Sequence, residues 1–131
     1  MERIVKLALV ILLLATTTQA MNILDALSMI ESGNNDKAVG KAGEVSRYQI
    51  RPSVWRAQYR EPMNPANPVH ARLVASRILA NRIHDFRFHQ GCAPTTMEKY
   101  LLWRCPFRVL KPTKADLAIA RRFANLVESK P

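Results

Sequence analysis

Glu31 is the acid around which any chemistry of this chain is most readily built. It stands at the end of an apolar-rich run, 23–30, and is followed by Ser32 and a loop of small, amide and glycine residues, 33–43. The stretch closes on Tyr48, Gln49 and Ile50, with Pro52 just beyond. A carboxyl in the last turn of a helix meets the negative end of the helix dipole, which disfavours its ionised form. Leu27 and Ile30 beside it add desolvation if the group is buried. Both effects raise its pKa, and a carboxylic acid kept protonated near neutral pH is a proton donor. Two more carboxylates, Glu44 and Asp36, lie in the loop. Each is a solvated loop charge unless it turns inward, where it becomes a possible second carboxylate for activating water. Gln49 presents an amide that either lines a cleft or braces the loop. Ser32 either positions Glu31 by hydrogen bonding or satisfies the helix end.

The elements that must position these residues occupy one domain, 21–131. Residues 1–20 carry Arg3 and Lys6, an apolar core 7–15, and an exit with Thr18 and Ala20, which is the pattern of an export signal. The apolar run is short against the roughly 20 residues of a membrane span. An uncleaved anchor is the alternative, and the membrane would be met only through that segment. Export places the domain in the periplasm, or outside the cell at the wall. Subtracting Arg3, Lys6 and Glu2 from 20 basic and 10 acidic residues leaves 18 and 9, a net charge of +9 over 21–131. Such a balance favours anionic partners. Export disfavours nucleic acid among them, and the basic residues are scattered rather than gathered into one run. Cys92 and Cys105 are the only cysteines. In an exported chain they fit a disulfide, with two free thiols as the alternative. His84, His89 and Cys92 match no standard zinc spacing, so no metal and no cofactor are expected. His70, His84 and His89 read as helix-surface residues.

The apolar spacing predicts an all-α domain of five or six helices around one long central helix. Asn22 caps the first helix, and Gly33-Asn34 ends it. Val45 to Ile50 alternates briefly, as in a very short β segment. Pro52 starts a second helix with Val54, Trp55 and Tyr59, and 62–68 is a proline-punctuated loop. Asn67 and Pro68 open the long helix, which runs to about Phe88. Its expected inner stripe is Val69, Leu73, Val74, Ile78, Leu79, Ile83 and Phe86, opposite Arg72, Arg77, Asn81, Arg82 and Asp85. After Gly91, Thr95 to Glu98 has the spacing of a capping box, opening a short helix with Tyr100, Leu101, Leu102 and Trp103. Thr113 caps the last helix, whose inner stripe is Leu117, Ala120, Phe123, Ala124 and Val127.

The opening stretch resembles the lysozyme-like superfamily of lytic transglycosylases and goose-type lysozymes. Their pattern begins with Glu-Ser, passes an Ala-Val-Ser segment, and reaches Gly-Ala-x-Gly-Leu-Met-Gln-Ile-x-Pro. Here Glu31-Ser32 supplies the start, Ala38-Val39-Gly40 the middle, and Gly43, Gln49, Ile50 and Pro52 fall in register without a gap. The departures are Gly40 for serine, Glu44 for alanine, Ser46 for the second glycine, and Arg47-Tyr48 for Leu-Met. A family segment Tyr-Asn-Ala-Gly is matched only by Tyr100, with Arg104 the nearest stand-in for its asparagine if Trp103 takes the aromatic place.

The resemblance implies a lysozyme-like fold and an enzyme acting on peptidoglycan glycan strands, at the β-1,4 bond from N-acetylmuramic acid to N-acetylglucosamine. Glu31 would protonate the leaving oxygen. As carboxylate it would then help the muramic acid C6 hydroxyl attack, giving a 1,6-anhydro product. Ser32, Gln49, Tyr48, Tyr100 and Trp103 would contact substrate, with one of the three aromatic residues stacking on a sugar ring. Hydrolysis of the lysozyme type, with Glu44 as second carboxylate, is the alternative chemistry. A non-catalytic cell-wall-binding module on the same fold, and a basic protein of membrane or nucleic acid, are the readings from other classes.

Overall fold

The computed structural model describes residues 20–62 and 64–128; the expected export signal lies outside them, save Ala20. Five α-helices account for most of these residues: α1 (Ile23–Ser32), α2 (Pro52–Gln58), α3 (Pro68–Gln90), α4 (Thr96–Arg104) and α5 (Lys114–Glu128). A single 3-10 turn, Pro106–Arg108, follows α4. The all-α expectation therefore holds. Most of the helix boundaries follow from local chemistry. The Asn22 side chain accepts the Leu24 N–H, and the Asn67 side chain accepts those of Val69 and His70, with Pro68 at the first helical position. Thr95 and Glu98 form the reciprocal capping box that fixes where α4 begins. Gly33 (φ 64°) and Gly91 (φ 72°) take the left-handed conformation that ends α1 and α3.

The long helix α3 packs on α1, α2 and α4, while α5 packs on α1 and α4. The short helix α4 is buried on nearly every side, with Tyr100, Leu101, Leu102 and Trp103 all inside. Trp55 of α2, Phe123 of α5, and Tyr48 and Ile50 from the loop complete the core with Leu27 and Val74. The expected β segment is present as isolated bridges, Val39 with Val45 and Val45 with Ile50. Backbone bonds in both directions between Val45 and Ile50, each 2.9 Å, hold that turn.

Two expectations about inner faces are corrected. On α3 the buried residues are Ala71, Val74, Ala75, Ile78, Leu79 and Phe86, while Val69 (73% exposed) and Leu73 face outward. Small side chains at 71 and 75 let neighbouring helices approach closely, so the packed stripe is rotated onto them. On α5, Leu117 is exposed and the contact falls to Ala120, Phe123 and Ala124.

The disulfide expectation is also overturned. Cys92 and Cys105 are free thiols, the first exposed and the second buried.

Candidate functional site

The left-handed Gly33 places Glu31 in the last turn of α1. The Gly33 N–H donates to the Met29 carbonyl (3.0 Å) and the Asn34 N–H to that of Ser28 (3.2 Å), so the helix ends without orphaning those acceptors. The Glu31 side chain is only 5% exposed. From α4, the Tyr100 hydroxyl donates to Glu31 Oε1 at 3.0 Å, and Arg104 Nη1 lies 3.5 Å from Oε2. Tyr100 and Arg104 are four residues apart, on one face of their helix, which is why both reach the same carboxyl.

Burial is the largest influence on Glu31 and raises its pKa. Arg104 and the Tyr100 hydroxyl pull the other way, and the charge of Glu44 adds to the rise; the net shift is upward. The Tyr100 phenol is itself pushed far up by burial and by Glu31, so it stays a donor. The arrangement is a buried carboxyl biased toward its protonated form, with one oxygen held by a phenol.

A cleft of about 620 Å³ opens over Glu31. Glu44 and Gln49 line it from the loop, Arg51 and Arg82 from α2's leading edge and α3, and Trp103 and Arg104 from α4. A bond from its own N–H, one from the Ala42 N–H to Oε2 (3.0 Å), and the charges of Arg51 and Arg104 hold the Glu44 carboxyl below its ordinary value. Gln49 has φ 52°, left-handed for a residue with a side chain, and its Nε2 donates to the Ser46 carbonyl (3.0 Å). It therefore both braces the loop and lines the cleft. Gly40 makes room for both side chains. A Cβ there would overlap Glu44 Oε2 and stand 2.6 Å from Gln49 Oε1.

The structure thus brings Glu31, Glu44, Gln49, Trp103 and Arg104 to one cavity, with Tyr100 beneath Glu31. Three sequence expectations fail there. Ser32 does not line the cleft: its hydroxyl donates to the Arg47 carbonyl (2.7 Å) and accepts the Asn35 N–H (3.0 Å), tying the helix end to the loop. Tyr48 is 1% exposed, packed edge-on to Trp103 with centroids 6.4 Å apart, and has no face for a ligand. Tyr100 is buried and offers Glu31 its hydroxyl rather than a ring to a sugar. Asp36, the other candidate second carboxylate, is taken by Arg47 in a two-pronged ion pair (2.6 and 3.1 Å).

Sequence reasoning missed Arg51, Arg82, Phe107 and Arg108 among the lining residues. Arg82 was assigned to the solvated face of α3. It is largely buried, and its Nη1 donates to the carbonyls of Leu102 (3.0 Å) and Trp103 (2.7 Å). Nothing in its local spacing marks it, because its partners lie at the end of another helix. Phe107 is fully exposed at the cleft's rim in the 3-10 turn. The signal available was an aromatic residue set between Pro106 and Arg108, a turn rather than a core position. Arg51 is exposed at the rim, just before α2. Among the described residues no group of His, Cys, Asp and Glu gathers as a metal centre. Comparison of the chain with protein-family models, curated proteins and solved structures finds no match.

Proposed function

We propose that the domain cleaves the β-1,4 glycosidic bond between N-acetylmuramic acid and N-acetylglucosamine in peptidoglycan, as a lytic transglycosylase of lysozyme-like type with Glu31 as general acid and base. One observation carries the reading: a nearly buried carboxyl with a raised pKa faces an open polar cleft at the place the Glu-Ser pattern indicates. The backbone adds support. At both positions where the resembling pattern has glycine, Gly43 (φ 80°) and Ser46 (φ 70°), the chain is left-handed.

In the proposed reaction the Glu31 carboxyl gives its proton to the glycosidic oxygen, and the C1–O bond breaks with its electron pair going to that oxygen. Glu31, now carboxylate, takes the proton of the C6 hydroxyl as that oxygen bonds C1. The Tyr100 hydroxyl and Arg104 stabilise the carboxylate between the two steps. Glu44, ionised in the same cleft, favours the positive charge that develops at C1.

Hydrolysis is the second reading, favoured by the placement of Glu44 in the cleft. Against it stands the low basicity of that carboxylate, since a general base works best with its pKa near the operating pH. A muropeptide digest followed by mass spectrometry separates the two. Anhydro-muropeptides from wild type and none from Glu31→Gln are expected; reducing-end products would establish hydrolysis. Undiminished cleavage by the variant would remove Glu31 from the mechanism.

A further inference from the structure

Of the arginines lining the cleft, two have no ion-pair partner among the described residues, and a third is paired only with Glu31 (3.5 Å). No described acid lies within ion-pair distance of Arg51 or Arg82. Arg104 faces Glu31, which burial holds toward its neutral form. A fourth lining arginine, Arg108, is already closed by its two-pronged pair with Asp116 (3.0 and 3.1 Å). Against the three stands one ionised acid, Glu44. Arg82 matters most, because desolvation lowers its pKa and its charge meets two backbone carbonyls and the face of the Trp103 ring (5.9 Å) but no anion. A desolvated cation without a counter-ion costs free energy, and an arriving anion would relieve that cost. The guanidinium fork fits carboxylate and phosphate oxygens alike.

We infer that the cleft selects glycan strands bearing oxyanions next to the scissile bond, read by Arg51, Arg82 and Arg104, in preference to uncharged strands. The inference rests on the cleft being a glycan-cleaving site. The anions have two possible sources on a wall polymer: carboxylates of the lactyl and peptide substituents, and phosphodiesters of an attached polymer.

The test is retention of the full chain on insoluble peptidoglycan at fixed ionic strength. Four preparations are used: native, carboxyl-amidated, freed of phosphodiester-linked polymer with hydrofluoric acid, and treated both ways. Glu31→Gln serves as the parent so that the matrix is not digested. The doubly treated wall should retain the protein at least about fivefold less, the scale of losing one or two partly exposed charge contacts. Loss on amidation identifies carboxylates, and loss on acid treatment identifies phosphates. Adding Arg51→Gln should weaken retention at least about threefold more than Arg121→Gln, which removes the same charge from the exposed side of α5. Equal retention on treated and native wall overturns the inference, as does equal weakening by the two arginine variants, which would reflect net charge alone. Turnover by the Glu31 protein is measured separately, so that anion-dependent retention without cleavage would end only the catalytic reading.

Discussion

Replacing Glu31 by glutamine should make the folded chain more stable at neutral pH and no more stable in acid. Burial holds the Glu31 pKa up against the opposing pull of Arg104 and the Tyr100 hydroxyl. A folded pKa above the unfolded one means that folding favours the protonated form. The stability this gives is fully present below the ordinary carboxylate value of 4.5 and is lost as pH rises through the folded pKa. Glutamine has the shape of the protonated acid and its Oε1 can keep the Tyr100 bond (3.0 Å), so the variant escapes that loss. Each unit of the shift corresponds to about 1.4 kcal/mol. In a domain of this size that is about 5 °C in Tm. The side chain is 5% exposed, so solvent screens little of it. The opposing pull of Arg104, which is 53% exposed, is already contained in that net shift. The assay is thermal unfolding of both proteins from about pH 4 to about pH 8 at one ionic strength. The two melting curves should coincide in acid and separate as pH rises, with the variant higher. A gap independent of pH, or a higher-melting wild type at neutral pH, would show that the carboxyl is not held above its ordinary value and would remove the physical ground for an acid role.

Tyr100→Phe removes the hydroxyl that favours ionised Glu31, so the alkaline limb of the pH–activity profile should move upward; a limb that stays in place would show that the phenol does not bond the carboxylate in solution. Gly40→Ala places a Cβ against the ends of two flexible side chains, Glu44 and Gln49, so stability should change by no more than about 1 kcal/mol. Displacing Glu44 removes a charge that raises Glu31, and the alkaline limb should move downward; an unmoved limb would disconnect the two carboxyls. Ser46 holds φ 70° and accepts the Tyr48 N–H (3.2 Å), so Ser46→Ala loses the bond and keeps the strain, whereas Ser46→Gly loses the bond and relieves it. Chemical denaturation should find the glycine variant more stable than the alanine variant by about 1 kcal/mol, and the reverse order would contradict the left-handed assignment. In a thiol-titration assay Cys92 should react at once and Cys105 only after unfolding; simultaneous reaction of both would contradict the burial of Cys105.

The helices were legible in the sequence because their signals are local. Asn22, the Asn67-Pro68 pair, the Thr95–Glu98 box, Gly33 and Gly91 each act within four residues, and the structure uses all of them. The acid was legible for the same reason, since a carboxyl in the last turn of an apolar helix is a local fact. The partners were harder. Tyr100 and Arg104 lie about seventy residues from Glu31, and their spacing on α4 cannot say whether they face a ligand or a carboxyl. Tyr48 and Trp103 show that aromatic character alone does not separate core from cleft, because both burials depend on how α4 meets the loop. The inner stripe of α3 was misjudged because alanine carries little hydrophobic signal, yet it is alanine that allows close packing.

Gly40 and Glu44 are two departures from the resembling pattern that explain one another. Serine at 40 would put its Cβ where the Glu44 carboxylate now lies. Alanine at 44 would leave that space empty. The pair together brings a second carboxylate into the cleft, yet the backbone N–H groups of Ala42 and Glu44 hold it ionised and weakly basic. In the proposed reaction, an acid biased toward neutrality by burial and a neighbour kept charged by hydrogen bonds would divide proton transfer from charge stabilisation within one cleft. The proposed mechanism would give the first task to Glu31 and the second to Glu44. A chain that used Glu44 as a water-activating base would need those two backbone bonds broken when substrate enters, which makes the Ala42–Glu44 turn the point at which the two chemistries part.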